Sequence, residues 1–478
     1  MKRLVPLALA ALLTLATAHV PAATAAAQAL SQSQTEELVL SYRHLTNDFY
    51  KKVDKQAALD GARTAMVELL KKHHVANPTL PAMHASDDDL TNVEALNREV
   101  TTAVSEYGSK VEPADSLSSS TQLTYAAING VLGSVKDRYT VFLTPKEYAA
   151  LNEGLDGTSF GGVGISYEID DKTNNLHVQN VILDGPSDKA GIANDDVITA
   201  IDGTPVPTLL APAIAAHKEA DKRLSAEQQA VTKALRGDPG TRVRLTIERN
   251  GKPMGPVTIT RETIHQPSVT ARMLPGNIGY VDLAVFGSTT AQELKTALHR
   301  LDSQGAKAYV LDLRYNGGGY LNAAVDVSSE FIPVGPIVTV QSRAGQEAEY
   351  DAPNTAIAPR PLAVLVNQYT ASASEITAGA IQDSGVGTLV GTKTFGKGVV
   401  QTIFPMRDGS AVKITTARYF TPKGRDINTV GIEPEIKSEL AKDQKIRPGD
   451  LGRDPQLVAA VNFINGRIAQ SPQTIPTH

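Results

Sequence analysis

The stretch from Pro361 to Val400 leaves this chain few folds to choose from. Pro361-Leu-Ala-Val-Leu-Val366 is a short continuous apolar run rich in β-formers, which suits a strand buried on both faces of a parallel sheet. Thr370-Ala-Ser-Ala-Ser374 supplies small residues for a sharp turn, and Glu375 to Asp383 reads as a helix with Ile376 and Ala380 four apart. Upstream, Ile278 to Leu283 and Ala308 to Arg314 read as further strands around a helix over 291–304, so the pattern alternates as a mainly parallel α/β core does. The turn serines fall at a helix N-terminus, where free backbone N–H groups and the helix dipole favour a developing negative charge. Ser372-Ala-Ser-Glu375 is also a capping-box pattern, and taken alone the cap is the stronger reading of Ser372.

A lysine downstream changes that balance. In Gly391-Thr-Lys-Thr-Phe-Gly-Lys-Gly398, Lys397 lies between two glycines and ahead of Val399 and Val400, so its ammonium can be held in a tight apolar turn beside Phe395. A free lysine, with pKa near 10.4, is deprotonated in only about one molecule in two to three thousand at pH 7. Lowering its pKa to about 7 to 8 means destabilising the cation by roughly 4 kcal/mol, which burial can do. A lysine so tuned can take the proton from a serine.

Ala371-Ser-Ala-Ser-Glu-Ile376, followed by Thr394-Phe-Gly-Lys-Gly398 with Gln401 four beyond the lysine, resembles the carboxyl-terminal processing peptidases, the tail-specific serine proteases of family S41. The 25 residues from Ser372 to Lys397 are the family's spacing as well. The resemblance implies a crotonase/ClpP-like α/β protease core in which Ser372 is the nucleophile, Lys397 the general base and Gln401 the residue that orients the lysine amine. Ser374 matches a family serine that is not the nucleophile. Tyr315-Asn-Gly-Gly-Gly319 resembles the family's Arg-x-Asn-Pro-Gly-Gly with Gly317 in place of proline, and implies an oxyanion hole made by the backbone N–H groups of Gly318 and Ala373. Losing one such donor typically costs ~10² to 10³ in rate.

Phe160-Gly-Gly-Val-Gly-Ile165 opens a segment that resembles a PDZ domain, continued by Gly185 to Ile192, Asp195 to Gly203 and Leu235 to Arg249. Its glycines suit a nest for a terminal carboxylate formed along Phe160, Gly161, Gly162, Val163, Gly164 and Ile165, and Ile165 to Ile169 alternates like a strand that accepts a peptide by β-addition. Leu209 to Ala230 reads as a helical insertion where relatives have one short groove helix.

Two text matches fail on context. Gly157-Thr-Ser-Phe-Gly161 fits G-x-S-x-G but leads into a Gly-rich strand, not a helix. Gly391 to Lys397 fits the P-loop, yet Gly398 stands where Ser or Thr is needed and a strand pattern follows. Only His478 follows Ser372, which argues against a Ser-His-Asp order, and His73-His74 lacks companions at metal-ligand spacing. No metal or cofactor is implied.

The remaining sequence sets the context. Met1-Lys2-Arg3 and the apolar run Leu4 to Leu15, ahead of Ala-x-Ala patterns, read as a cleaved secretory signal over 1–27, hence a periplasmic protein. A helical region over 28–150 is expected next, with helix over 31–75 and a mostly loop-like stretch over 77–120 holding a short helix near 87–105. The PDZ domain is placed at 151–262, the α/β protease core at 263–440, and a closing helix and tail at 441–478. A net charge of −5 leaves no electrostatic footprint for nucleic acid, and the absence of cysteine excludes disulfides and a thiol nucleophile. The expected partners are proteins or peptides with accessible C-terminal tails. By the same resemblance the chain could self-associate through its helical ends and sit peripherally at a membrane. The competing reading is a catalytically silent adaptor that binds C-terminal peptides.

Overall fold

A computed structural model describes residues 30–470 except 115–116, 157–158, 171, 183–184, 217–219, 266, 346, 358 and 441–448. The expected signal segment, 1–27, lies outside the described residues. The chain divides into two compact units, residues 1–47 with 53–142 and residues 48–52 with 143–478.

The first unit is helical, with α1 (Gln32–Asp48), α2 (Lys55–Lys72), α3 (Asp89–Tyr107) and α4 (Ser119–Gly133). Aspartates start two of them: the Asp54 side chain accepts from the Ala57 N–H at 3.1 Å, and Asp88 from the N–H groups of Leu90 and Thr91. The short helix expected near 87–105 forms as α3, where Val93, Leu96, Val100, Ala103 and Val104 make a buried stripe among polar neighbours. Helices α2 and α4 cross at two glycines. A Cβ on Gly130 would stand 2.2 Å from the Gly61 carbonyl oxygen, and one on Gly61 2.3 Å from that of Gly130.

The second unit begins with α5 (Pro145–Asp156) and a β-rich segment. There β1 (Ser159–Gly162) pairs with a later strand, Glu262–His265, while β2 (Ile165–Ile169), β3 (Leu176–Val181), β4 (Val197–Ile201), β5 (Arg242–Arg249) and β6 (Lys252–Thr260) form an antiparallel sheet in that order. The expected insertion is resolved into α6 (Val206–Ala216) and α7 (Ala220–Leu235). Leu210 and Val231 reach from these helices into a core with Val178, Ile198 and Leu245. Strand β2 is an edge, paired among the described residues only with β3.

The α/β part has the sheet order β7-β8-β9-β12-β13-β16, where β7 is Val269–Leu274, β8 Ile278–Leu283, β9 Ala308–Asp312, β12 Leu362–Val366, β13 Thr388–Gly391 and β16 Ile436–Lys437. All its pairs are parallel except β7 with β8. Every residue of β12 is buried, as its unbroken apolar run requires. Alternate side chains serve opposite faces. Val281, Leu311, Val364 and Val366 pack against α8 (Thr290–Ser303), α9 (Leu321–Ser329) and α10 (Ala373–Ser384), while Tyr280, Val310, Ala363 and Leu365 pack against Leu457, Ala460 and Ile464 of α11 (Pro455–Gln470). A second sheet contains β10 (Pro336–Ser342), β11 (Glu347–Asp351), β14 (Val399–Pro405) and β15 (Ala411–Phe420), with β15 pairing both β10 and β14. None of the described helices is long and apolar enough to cross a membrane.

Candidate active site

Three neighbouring parallel strands, β9, β12 and β13, release at their carboxyl ends the three loops of the site, which is where open α/β sheets place their ligands. The middle loop carries Ser372. It is the N-cap of α10 but not a relaxed one, since its φ of 57° and ψ of −118° lie in a region that costs a non-glycine residue about 1–3 kcal/mol. The neighbouring loops hold it there. The Ala371 N–H and the Ser374 hydroxyl both donate to the Asn316 carbonyl at 3.0 Å, and the Thr370 hydroxyl donates to the Leu313 carbonyl at 2.9 Å. A serine on a sharp strand-to-helix turn presents its hydroxyl outward.

Glu375, three residues on, is fully buried and fastens the Ser372 loop to the Lys397 loop. One carboxylate oxygen accepts from the backbone N–H groups of Ser372 (3.0 Å) and Lys397 (2.8 Å); the other accepts from the Thr394 hydroxyl (2.6 Å) and the Gly396 N–H (2.7 Å). Burial pushes the Glu375 carboxyl above its usual range against the pull of these four donors. By its sequence context Glu375 is a cap partner alone. Nothing local could show that its reach extends 19 to 22 residues downstream.

Ser372, Lys397 and Gln401 line one cavity of about 380 Å³, together with Gly318, Ala373 and apolar side chains that include Leu151, Leu155, Ile376, Val399 and Val400. The apolar lining beside Lys397 comes from these residues and not from Phe395, which is 44% exposed, contrary to expectation. A shift in register between Val400 and Gln401 against β15 interrupts strict alternation, so Val399, Val400 and Gln401 all contribute to the wall. The Gln401 amide nitrogen lies 3.4 Å from the Val399 carbonyl and 3.5 Å from the Thr415 hydroxyl. Tyr419, also in the lining and unflagged by its sequence context, places its hydroxyl 3.2 Å from the Ser372 carbonyl and within hydrogen-bond distance of the Lys397 carbonyl.

Gly318 has φ 103°, and a Cβ there would fall 2.8 Å from Ser372 Cβ and 2.9 Å from the Ala373 nitrogen, so only glycine allows this approach. Its N–H, expected to face a substrate oxygen, instead donates to Asn316 Oδ1 at 2.9 Å. The turn is anchored from behind by Arg314, which is 6% exposed. Arg314 bonds Asp312 through two nitrogens (2.9 and 2.6 Å), Asp454 through two (2.9 and 2.6 Å) and Gln456 (3.0 Å), and Asp454 in turn caps α11. Burial and the nearby Asp312 charge push the Asp282 carboxyl up to about 6. A charged residue ending an apolar strand just before a Gly-rich turn was the available sequence signal for Arg314.

The second concave site, also about 380 Å³, runs between β2 and α7 and is lined by Gly162, Val163, Gly164, Ile165 and Tyr167 on one side and Thr232, Leu235 and Arg236 on the other. Phe160 and Gly161, at the start of the expected nest, pair with Ile264 and Thr263 in the β1 ladder.

Comparison with known proteins shows what the chain is similar to. Residues 277–438 match the model of peptidase family S41, and residues 161–255 that of the PDZ domain. The chain is 36% identical over 354 residues to a carboxyl-terminal-processing protease of Synechocystis sp., covering 72% of this chain and 78% of that protein. It is 37% identical over 337 residues to the chloroplastic C-terminal processing peptidase of Tetradesmus obliquus, covering 69% and 70%. Among solved structures, the photosystem II D1 C-terminal processing protease matches with 29% identity and a TM-score of 0.45, covering 91% of this chain and 98% of that one.

Proposed function

The chain belongs to the carboxyl-terminal-processing proteases of peptidase family S41, and we propose that it is a serine endopeptidase working through Ser372, Lys397 and Gln401 on proteins selected by their C-terminal tails. The observation that carries this reading is that all three side chains line one largely apolar cavity while a single buried carboxylate, Glu375, ties the backbone of Ser372 to that of Lys397.

In the proposed reaction neutral Lys397 accepts the Ser372 proton as Oγ adds to the scissile carbonyl, with Gln401 orienting the amine. The oxyanion forms at the N-terminus of α10, where the Ala373 N–H and the helix dipole meet it. Gly318 joins as a second donor when its N–H exchanges Asn316 Oδ1 for the substrate oxygen. Lys397 then gives its proton to the leaving amine, and the amine departs to leave an acyl-enzyme. A water, deprotonated by Lys397, hydrolyses the ester and returns Ser372. The groove along β2 receives the tail as an added strand, its carboxylate at the N–H groups of 162–165 with Arg236 nearby. We place the protein outside the cytoplasmic membrane, on the strength of the signal-like residues 1–27.

The test is cleavage of a protein bearing an unstructured apolar tail by wild type, Ser372→Ala and Lys397→Ala. Cleavage by wild type alone is expected. Equal cleavage by all three removes the mechanism, and tail binding without cleavage by wild type makes the protein an adaptor.

A further inference from the structure

Three large aromatic side chains stand in solvent on the three loops that carry the site: Tyr315 is 56% exposed, Tyr369 55% and Phe395 44%. Tyr315 and Tyr369 stack on each other, with ring centroids 5.4 Å apart and planes 21° from parallel. Their backbones are fastened to one side chain, both N–H groups donating to Asn367 Oδ1 at 3.1 Å. The Phe395 N–H donates to the Thr370 carbonyl at 3.0 Å, which ties the third loop to the second. Tyr315 also holds φ at 62°, a left-handed conformation that is strained for a bulky residue.

A ring pair left more than half in water, one of them on strained backbone, adds little to folding. Exposed aromatics on rigidly tied loops are what proteins use to bind. The distance to the chemistry is bounded by the chain. Tyr369 precedes Ser372 by three residues and Tyr315 precedes Gly318 by three, so at no more than ~3.6 Å per residue their Cα atoms lie within about 11 Å of those of Ser372 and Gly318. An extended substrate advances roughly 3.3 Å per residue, so the backbone that bears the rings falls level with residues up to about three from the bond being cut.

We propose that Tyr315 and Tyr369, with Phe395, form a specificity subsite for an apolar side chain of the extended substrate within about three residues of the scissile bond. The subsite rests on the endopeptidase reading above and adds to it a sequence preference near the cut, separate from the choice of chain end in the β2 groove. The ring faces are apolar surface against which Phe, Leu or Pro can lie, while an acidic side chain meets the negative face of the ring.

The experiment compares two unstructured protein substrates with the same C-terminal tail, one with Phe or Leu and the other with Ser at the three positions on each side of the cleavage site. Wild type is expected to favour the apolar substrate by about five- to tenfold in kcat/KM, mainly through KM. Tyr369→Ser and the double variant Tyr315→Asn/Tyr369→Ser, checked as folded by their thermal midpoints, should treat the two alike; Phe395→Ser is the third arm should the double variant fail to fold. A preference unchanged in all variants, or an equal loss on both substrates, overturns the subsite. If wild type cleaves neither substrate, or Ser372→Ala cleaves as well as wild type, the endopeptidase reading fails and the subsite with it; cleavage that depends on Ser372 but not on the rings refutes the subsite alone.

Discussion

Replacing Glu375 by glutamine tests the geometry of the site with little change of volume. The carboxylate accepts four hydrogen bonds and is fully buried, so the variant has no water to turn to. An amide has two ways to sit. With its NH₂ toward Ser372 and Lys397 it would face two backbone donors and orphan both. With its NH₂ toward Thr394 and Gly396 it meets a hydroxyl that can accept and one N–H that cannot, so the second orientation wins. One orphaned buried donor costs about 1–3 kcal/mol, and the loss of charge weakens the other bonds by roughly half. About 2–4 kcal/mol of support for the competent arrangement should therefore go, equivalent to roughly a 30- to 10³-fold fall in kcat. KM for a tailed substrate should move by less than about twofold if binding is dominated by the β2 groove, whose lining contains neither loop. Steady-state cleavage, paired with labelling of Ser372 by a fluorophosphonate, reads both quantities. A variant with kcat within threefold of wild type and unslowed labelling would refute the role of Glu375 as the clamp.

Other perturbations test other links. Glu99, 4% exposed with Oε1 lacking a hydrogen-bond partner among the described residues, has its carboxyl raised to about 7 by burial. Its folded form holds a proton that the unfolded chain releases near 4.5, so stability is full below that value and falls as pH rises toward 7, by at most about 3 kcal/mol. Glu99→Gln should flatten this decline in thermal unfolding between pH 5 and 8, and an unchanged slope would contradict it. Gly130→Ala gains roughly 1 kcal/mol of helix propensity but drives a methyl to 2.2 Å from a backbone oxygen, an overpacking term of about 1–3 kcal/mol, so a net loss of stability is expected and a raised melting temperature would disprove the tight crossing. Amidating the C-terminus of a tailed substrate should raise KM several-fold by removing the carboxylate from 162–165, and an unchanged KM would detach the groove from substrate choice.

How far the sequence reached depended on how locally each feature is encoded. The parallel strand over 362–366 and the helix after Ser372 were legible because side-chain periodicity and turn chemistry act over a few neighbours, and the residue types of the Ser–Lys–Gln set and the Gly-rich groove loop are written in the chain itself. Helix α3 was legible too, expected near 87–105 and found at 89–107, although its apolar stripe is sparse and is held by burial. What only tertiary structure decided lies in the relations between loops. Phe395 was expected beside the lysine and stands in solvent, while residues as distant as Leu151 and Leu155 supply the apolar wall. Arg314 and Glu375 read as an ordinary strand end and a cap, and became the anchors of the Gly318 turn and the Lys397 loop. Glu375 shows the physical reason most directly: a carboxylate taken out of water must find donors, and which backbone N–H groups meet it is settled by how β12 and β13 lie side by side, not by the residues next to it in the chain.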